Sequence, residues 1–238
     1  MKLLRFSTLA VMLLALCVTA NAEETALHSA VQPVPRTGGW MNRHNSFNER
    51  VAKGNVDLIF IGDSITQGWE GRGKNVWQKF YGERNAVNLG IGGDRTQHVI
   101  WRLDNGNIKN ISPKLAVIMI GTNNSGSNTS KEIFDGNAAI VKQLRKALPE
   151  MNVLVLGVFP RGQNNEDAKR KVNAGANALI AKLASDKKVQ YLDIGGEFLN
   201  DDGVLTREIM PDLLHLSEGG YTIWAKSIEP SVKKLLGE

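Results

Sequence analysis

The segment that gives the strongest local signal for the fold is Ile59-Phe60-Ile61-Gly62-Asp63-Ser64-Ile65-Thr66-Gln67-Gly68. A continuous apolar run that stops at a glycine is typical of a short strand, buried on both faces, that ends in a tight turn. Ser64 comes directly after this turn. A serine in that position is most often the N-cap of the next helix. It can also hold its hydroxyl at the edge of a parallel sheet, and the rest of the chain decides between the two interpretations.

Further apolar runs follow along the chain, and segments with helical spacing separate them. The predicted strands cover residues 56–61, 86–89, 115–120, 153–158 and 189–194. The predicted helices cover 40–51, 73–81, 96–103, 130–148 (with Ser130 as its N-cap), 167–185 and 217–236. Strands and helices that alternate in this way predict an α/β fold, a three-layer α/β/α sandwich around a five-stranded parallel sheet. Sites in such sheets lie beyond the carboxyl ends of the strands.

The first 22 residues have the pattern of a secretory signal peptide. Lys2 and Arg5 precede an apolar run over 6–18, and Ala20-Asn21-Ala22 is a typical cleavage pattern. The run is too short to span a bilayer. We therefore predict export, cleavage after Ala22, and a periplasmic or extracellular mature protein.

The only cysteine, Cys17, lies inside this apolar run. Lipoprotein anchoring at Cys17 is the less favoured alternative, because Leu16 is bulkier than the residue usual before a lipidated cysteine. After cleavage the chain has no cysteine and hence no disulfide. Residues 23–38, with two prolines, are predicted to form a linker or an arm, and residues 39–238 a single domain.

Composition excludes few functions but favours a globular domain. The chain has 238 residues, of which 42% are hydrophobic and 22% charged, enough for one sizeable core. The net charge of +5 comes from scattered lysines and arginines interleaved with acids, which favours a solvated surface over a nucleic-acid partner. No cluster has the spacing of metal ligands, so we expect no metal and no cofactor.

One histidine stands out because an aspartate precedes it by three residues. In Asp212-Leu213-Leu214-His215 a single turn can bring the carboxylate against the imidazole Nδ1. A serine hydroxyl such as that of Ser64 is a poor nucleophile until a base takes its proton, and a histidine held in this way can act as that base. The alternative is a capping aspartate beside an unrelated histidine.

Polar or glycine-rich residues also follow the second and third predicted strands. Gly93 lies in the loop Gly90-Ile91-Gly92-Gly93-Asp94, and Asn123 follows the third strand. The backbone N–H groups of Gly93 and Ser64 and the amide of Asn123 are candidate donors to an oxyanion. Taken singly, the glycines fit a tight turn and Asn123 a loop cap. Three further residues have two interpretations each. They could line a site, or they could have ordinary packing or surface roles: Trp69, Arg95 and Arg161.

Taken together, these motifs resemble those of a known family, the GDSL-type or SGNH hydrolases. The similar blocks are Gly62-Asp63-Ser64-Ile65, with Ile in place of the usual Leu, Asn88–Asp94, Gly121-Thr122-Asn123 and Asp212-x-x-His215. Within the family, the chain is most similar to the branch of the platelet-activating factor acetylhydrolase catalytic subunits, through Trp40-Met41 and residues 90–103, 121–124, 160–162, 214–216 and 219–221. The resemblance covers about Trp40 to the C-terminus.

The resemblance implies a flavodoxin-like fold and metal-free hydrolysis of acyl esters. Ser64 would be the nucleophile, His215 the base and then the acid, and Asp212 the residue that orients it. Ser64, Gly93 and Asn123 would form the oxyanion hole. We therefore expect an exported serine esterase acting on small acyl esters, acetyl esters above all, of carbohydrate or lipid, and a homodimer is compatible with the resemblance.

The alternatives are a non-catalytic carbohydrate- or lipid-binding domain on the same fold, a thioesterase or lysophospholipase-type acylhydrolase, or a peptidase.

Overall fold

A computed structural model describes residues 27–238. The predicted signal peptide (1–22), the cleavage site at Ala22 and the anchoring alternative at Cys17 lie outside the described residues.

The centre of the domain is a five-stranded sheet in which every strand pair is parallel. Its strands are β1 Leu58–Gly62, β2 Ala86–Gly90, β3 Leu115–Met119, β4 Asn152–Leu156 and β5 Val189–Leu192. The strand order is β2-β1-β3-β4-β5, a flavodoxin-like order. After β1, the chain adds β2 on one side of it and the remaining strands on the other, so the order in which strands are added reverses at β1. The predicted α/β sandwich with a five-stranded parallel sheet is confirmed. The reversal also places the carboxyl end of β1, and with it Ser64, at the crevice where such folds bind ligands.

Helices cover both faces of the sheet. They are α1 Gly39–Ala52, α2 Ser64–Gln67, α3 Lys74–Tyr81, α4 Thr96–Arg102, α5 Ser130–Ala147, α6 Ala168–Ile180 and α7 Glu218–Leu236. Because side chains alternate along a strand, Ile59 and Ile61 pack with α1, α4, α5 and α6. Leu58 and Phe60 pack on the other face with α3 and α7. No helix within 27–238 combines the length and the apolar character of a membrane span.

The start of α5 differs from the prediction that Ser130 is its N-cap. Thr129 is the N-cap: its hydroxyl accepts the Glu132 N–H at 3.2 Å, and the Glu132 carboxylate accepts the Thr129 N–H at 2.8 Å. This reciprocal pair satisfies two donors that the first turn leaves free. Ser130 instead donates its hydroxyl to the Val172 carbonyl at 2.8 Å, which links α5 to α6.

The described part of the 23–38 segment is an arm packed on the domain. Ala30 is fully buried, and its carbonyl accepts a hydrogen bond from the Thr96 hydroxyl at 2.7 Å. Asn128 donates to the Ser29 hydroxyl at 2.9 Å. These contacts fix residues 27–38 across α4 and α5, and the arm then runs past the loop after β2 to reach α1.

Candidate active site

Ser64 is the first residue of α2 but does not cap it. The N-cap is Asp63, whose Oδ1 accepts the Ile65 N–H at 3.0 Å. The Ser64 hydroxyl is therefore not needed by the helix, and its Oγ lies 2.9 Å from His215 Nε2. This geometry favours the nucleophile interpretation of Ser64 over the cap interpretation.

His215 is held by Asp212 within one turn of chain. Its Nδ1 lies 2.7 Å from Asp212 Oδ2, while Asp212 Oδ1 accepts the backbone N–H groups of His215 at 2.7 Å and Leu214 at 3.1 Å. Leu213 has φ +60°, in the left-handed region that favours glycine. Its carbonyl accepts the Gly162 N–H at 2.9 Å, so the loop after β4 holds this strained turn in place.

The ionisation of Asp212 determines which imidazole nitrogen carries the proton. Partial burial raises the pKa of Asp212, but hydrogen bonds from the His215 ring and from backbone N–H groups outweigh this and lower it to about 2. An ionised carboxylate only accepts hydrogen bonds, so the proton of neutral His215 lies on Nδ1. Nε2 then presents its lone pair to the Ser64 hydroxyl, as a general base requires.

The loop that carries Gly93 packs beside Ser64, and Asn123 is hydrogen-bonded to this loop. A Cβ built on Gly92 would be 3.8 Å from Ser64 Cβ, so the loop after β2 runs directly beside Ser64. Gly93 is exposed and has φ +75°. The Asn123 side-chain amide donates one hydrogen to the Asp94 carbonyl at 2.9 Å, which orients it and leaves a second amide hydrogen for a ligand.

A buried network that sequence reasoning missed supports this loop from below. Asp94 is fully buried and accepts hydrogen bonds from Trp40 Nε1 at 2.6 Å and from Arg102 Nε at 2.9 Å. Gln67 Oε1 accepts the Gly92 N–H at 2.7 Å. Trp40 and Arg102 do lie in the stretches that carry the family resemblance, which was the one signal in the sequence that pointed to them.

Of the residues left open, Trp69 belongs to the core. It is 1% exposed and packs against Tyr221 and Trp224, with ring centroids 4.5 and 4.9 Å away. Arg161 supports the site, since its Nη1 donates to the carbonyl and the hydroxyl of Thr122, next to Asn123, at 3.2 Å each. Arg95 is the N-cap residue of α4, and its N–H donates to His98 Nδ1 at 3.0 Å.

The site itself is open to solvent. The side chains of His215 and Asp212 are 36% and 53% exposed. Two cavities lie elsewhere and are lined by none of Ser64, Asp212 and His215: one of about 480 Å³ between α6 and β5, and one of about 680 Å³ between α1, α3 and β2. Within the described chain, no group of three or more His, Cys, Asp or Glu side chains is arranged to hold a metal ion.

Asp63 offers a test of how tightly the serine turn is buried. Burial raises its pKa to about 7, and Asp94 nearby adds to the effect. Among the described residues, Asp63 Oδ2 has no hydrogen-bond partner. The folded state therefore binds more protons than the unfolded state between about pH 4 and about pH 7, and stability falls as pH rises through that window.

We expect Asp63→Asn to remove this part of the pH dependence, because an asparagine Oδ1 still accepts the Ile65 N–H but does not ionise. Relative to the variant, the wild type should lose up to about 4 kcal/mol of unfolding free energy between about pH 4 and about pH 7, at 1.36 kcal/mol per pKa unit. Urea unfolding across this range measures the difference. Asp201→Asn, at an exposed acid, is the matched control. If the unfolding free energy of Asp63→Asn varied with pH as that of the wild type does, the raised pKa of Asp63 would be contradicted.

Comparison with known proteins places the chain in a family. The model of the GDSL-like Lipase/Acylhydrolase family matches residues 60–223. The platelet-activating factor acetylhydrolase IB subunit alpha2 of Rattus norvegicus is 36% identical over 219 residues, which cover 92% of this chain and 94% of that protein.

Solved structures agree on the fold. A GDSL-like lipase from Bacteroides thetaiotaomicron superposes with a TM-score of 0.65 at 20% identity, over 81% of this chain and 97% of that one. An acetylxylan esterase from Geobacillus stearothermophilus superposes with a TM-score of 0.60 at 18% identity, over 77% of this chain and 95% of that one.

The chain belongs to the GDSL-like lipase/acylhydrolase family. It is accordingly a carboxylic ester hydrolase of the GDSL type, and the predicted family is confirmed. The non-catalytic binding domain that the sequence left open is thereby disfavoured.

Proposed function

We propose that the protein removes acetyl and other small acyl groups from carbohydrate or lipid esters, with Ser64 as the nucleophile. The observation that carries this proposal is the continuous hydrogen-bonded chain from Ser64 Oγ through His215 to Asp212, at 2.9 and 2.7 Å. It lies at the carboxyl end of β1, beside the Gly93 loop and Asn123.

The reaction follows from the geometry in two halves. Ser64 Oγ attacks the ester carbonyl carbon while His215 Nε2 takes its proton, and the carbonyl oxygen becomes an oxyanion. The intermediate collapses, the alcohol leaves with the proton from His215, and the acyl group stays on Ser64. Water then attacks this acyl-enzyme, His215 takes the water proton, and return of that proton to Ser64 Oγ releases the carboxylic acid. Asp212 stabilises the imidazolium in both halves.

The oxyanion would be held by the backbone N–H groups of Ser64 and Gly93 and by the free amide hydrogen of Asn123. These donors are fixed before the substrate arrives, so they stabilise developing charge without reorganising. No step needs a metal or a cofactor.

We expect Asn123→Ala to lower kcat by about 10²- to 10³-fold, the usual effect of removing one oxyanion donor. KM should change little, because the donor acts mainly on the transition state. Steady-state rates on p-nitrophenyl acetate measure both constants. Asn75→Ala, at an exposed amide on α3, should leave them unchanged. A wild-type kcat in Asn123→Ala would remove Asn123 from the oxyanion hole.

Acetyl as the acyl group is supported by two names among the comparisons, an acetylhydrolase of platelet-activating factor and an acetylxylan esterase. The test is a panel of acetylated sugars, acetylated xylan, short-chain phospholipids and an acyl thioester, with the released acid measured. Release of acetate from one oxygen-ester class supports the proposal and identifies the leaving group. Release from the thioester alone would favour the thioesterase alternative.

We also propose that the protein acts outside the cytoplasm, on the pattern of residues 1–22. Expression of the full chain in a bacterial host, followed by N-terminal sequencing of the mature protein, should give a chain that begins at Glu23. A mature protein that keeps Met1, or one that carries lipid on Cys17, would contradict cleavage after Ala22.

A further inference from the structure

The arm reaches the proposed active site through one side chain. Arg36 Nη1 donates a hydrogen bond to the Gly92 carbonyl at 2.8 Å. The same nitrogen lies 3.7 Å from the buried carboxylate of Asp94. The Arg36 side chain is 39% exposed, so its guanidinium covers the outer side of the loop that carries Gly93. None of the sequence motifs includes this residue.

The loop beneath Arg36 is a turn with two possible forms. The Asp94 N–H donates to the Ile91 carbonyl at 3.1 Å, and Gly93, the third residue of the turn, has φ +75°. This is the pattern of a type II turn. A type I turn with the same ends differs mainly in that its central peptide, here Gly92–Gly93, is rotated by about half a turn. Because both central residues are glycines, no side chain opposes that rotation.

The rotation would matter because the central peptide carries the proposed oxyanion donor. In a trans peptide the C=O and the following N–H point in opposite directions. Since Arg36 binds the Gly92 carbonyl, the Gly93 N–H is directed away from Arg36 and from the arm. Gln67 Oε1 accepts the preceding N–H, that of Gly92, at 2.7 Å, which does not fix the orientation of the central peptide. The hydrogen bond from Arg36 to the Gly92 carbonyl does fix it.

We infer that Arg36 is a positioning residue that locks the Gly92–Gly93 peptide with the Gly93 N–H facing the oxyanion. This inference rests on the proposed function, which makes Gly93 a donor. A charge-assisted hydrogen bond to the carbonyl is stronger than a neutral one, and it polarises the peptide so that the opposite N–H becomes a better donor. The arm thereby becomes part of the catalytic apparatus.

Close packing agrees with this role. A Cβ built on Gly93 would lie 3.0 Å from Arg36 Nη1, so the guanidinium lies directly on the glycine. Pro35 limits the backbone conformations available just before Arg36. The burial of Ala30 under the Thr96 hydroxyl fixes the arm upstream.

The test is steady-state kinetics of Arg36→Ala on p-nitrophenyl acetate, a neutral substrate that gives a guanidinium no charge to bind. We expect kcat to fall by about 10- to 100-fold, less than for outright loss of a donor, with KM within about twofold. Arg50→Ala is the matched control, because Arg50 Nη1 makes the same kind of bond to the Gly54 carbonyl, at 3.0 Å, before β1 at the opposite edge of the sheet. Its kcat should equal the wild-type value.

Arg36→Gln keeps one donor without the charge, so its kcat should lie between those of wild type and Arg36→Ala. If circular dichroism shows that Arg36→Ala is unfolded, the kcat of Arg36→Gln is compared with the wild-type value instead. A wild-type kcat in the folded Arg36 variants, a rise in KM alone, or an equal loss in Arg50→Ala would overturn the inference. If the wild-type activity does not depend on Ser64, the proposed function itself fails, which is a separate result.

Discussion

Replacing Ser64 by alanine is expected to lower kcat by about 10⁴- to 10⁶-fold, the range seen when a hydrolase loses its nucleophile. The hydroxyl lies at the end of the hydrogen-bonded chain, 2.9 Å from His215 Nε2, and alanine leaves nothing to attack the ester. The fold should be unaffected, because Asp63 and not Ser64 caps α2.

Initial rates on p-nitrophenyl acetate, with circular dichroism as a check on folding, measure this effect. Ser46→Ala is the matched control, since Ser46 is an exposed serine of α1 that donates only to the Arg43 carbonyl, at 2.8 Å. Activity near wild type in folded Ser64→Ala would reject the proposed mechanism.

Replacing His215 by alanine is expected to cost about as much as losing Ser64, because the hydroxyl without its base is a weak nucleophile. The Asp212 carboxylate that remains is half exposed, so water can solvate it and the fold should survive. His28→Ala, in the arm and paired with Asp135 at 3.2 Å, provides a histidine control.

The two substitutions act on one unit, so their effects should not add. We expect Ser64→Ala/His215→Ala to be no slower than either single variant, with the residual rate coming from the oxyanion donors. A double variant that is slower by the product of the two single losses would show that Ser64 and His215 contribute independently. The hydrogen bond between them would then have no catalytic meaning.

The sheet could be predicted because each strand is a local signal. Runs such as Leu115–Met119 are apolar without interruption, as burial on both faces requires, and their spacing sets the α/β alternation. The ends of the helices were predicted less accurately, because the N-cap depends on which of two adjacent hydroxyls accepts a backbone N–H of the first turn. At α5 the reciprocal bond with Glu132 selects Thr129 over Ser130.

The sequence could predict only those residues of the candidate site that belong to a local sequence pattern. Asp212 and His215 are three residues apart, and Gly93 and Asn123 each follow a strand. Arg36 lies 56 positions from the carbonyl that it binds, and Trp40 lies 54 positions from Asp94. Contacts at that separation depend on how the finished fold closes, and a single sequence carries no local pattern for them.

The left-handed Leu213 illustrates the same limit. Nothing about a leucine predicts φ +60°, yet this conformation lets Asp212 reach both the ring and the backbone of His215. The turn is held by the Gly162 N–H, which belongs to a different loop, the one after β4, so no local pattern in the sequence predicts this contact.

Covalent labelling with a fluorophosphonate shows whether His215 activates Ser64 as a nucleophile. Peptide mass spectrometry of the labelled wild-type protein should show a single adduct, on Ser64. The adduct should be absent from Ser64→Ala and should form far more slowly in His215→Ala. No labelling of the folded wild type, or equal labelling rates in wild type and His215→Ala, would show that His215 does not activate Ser64.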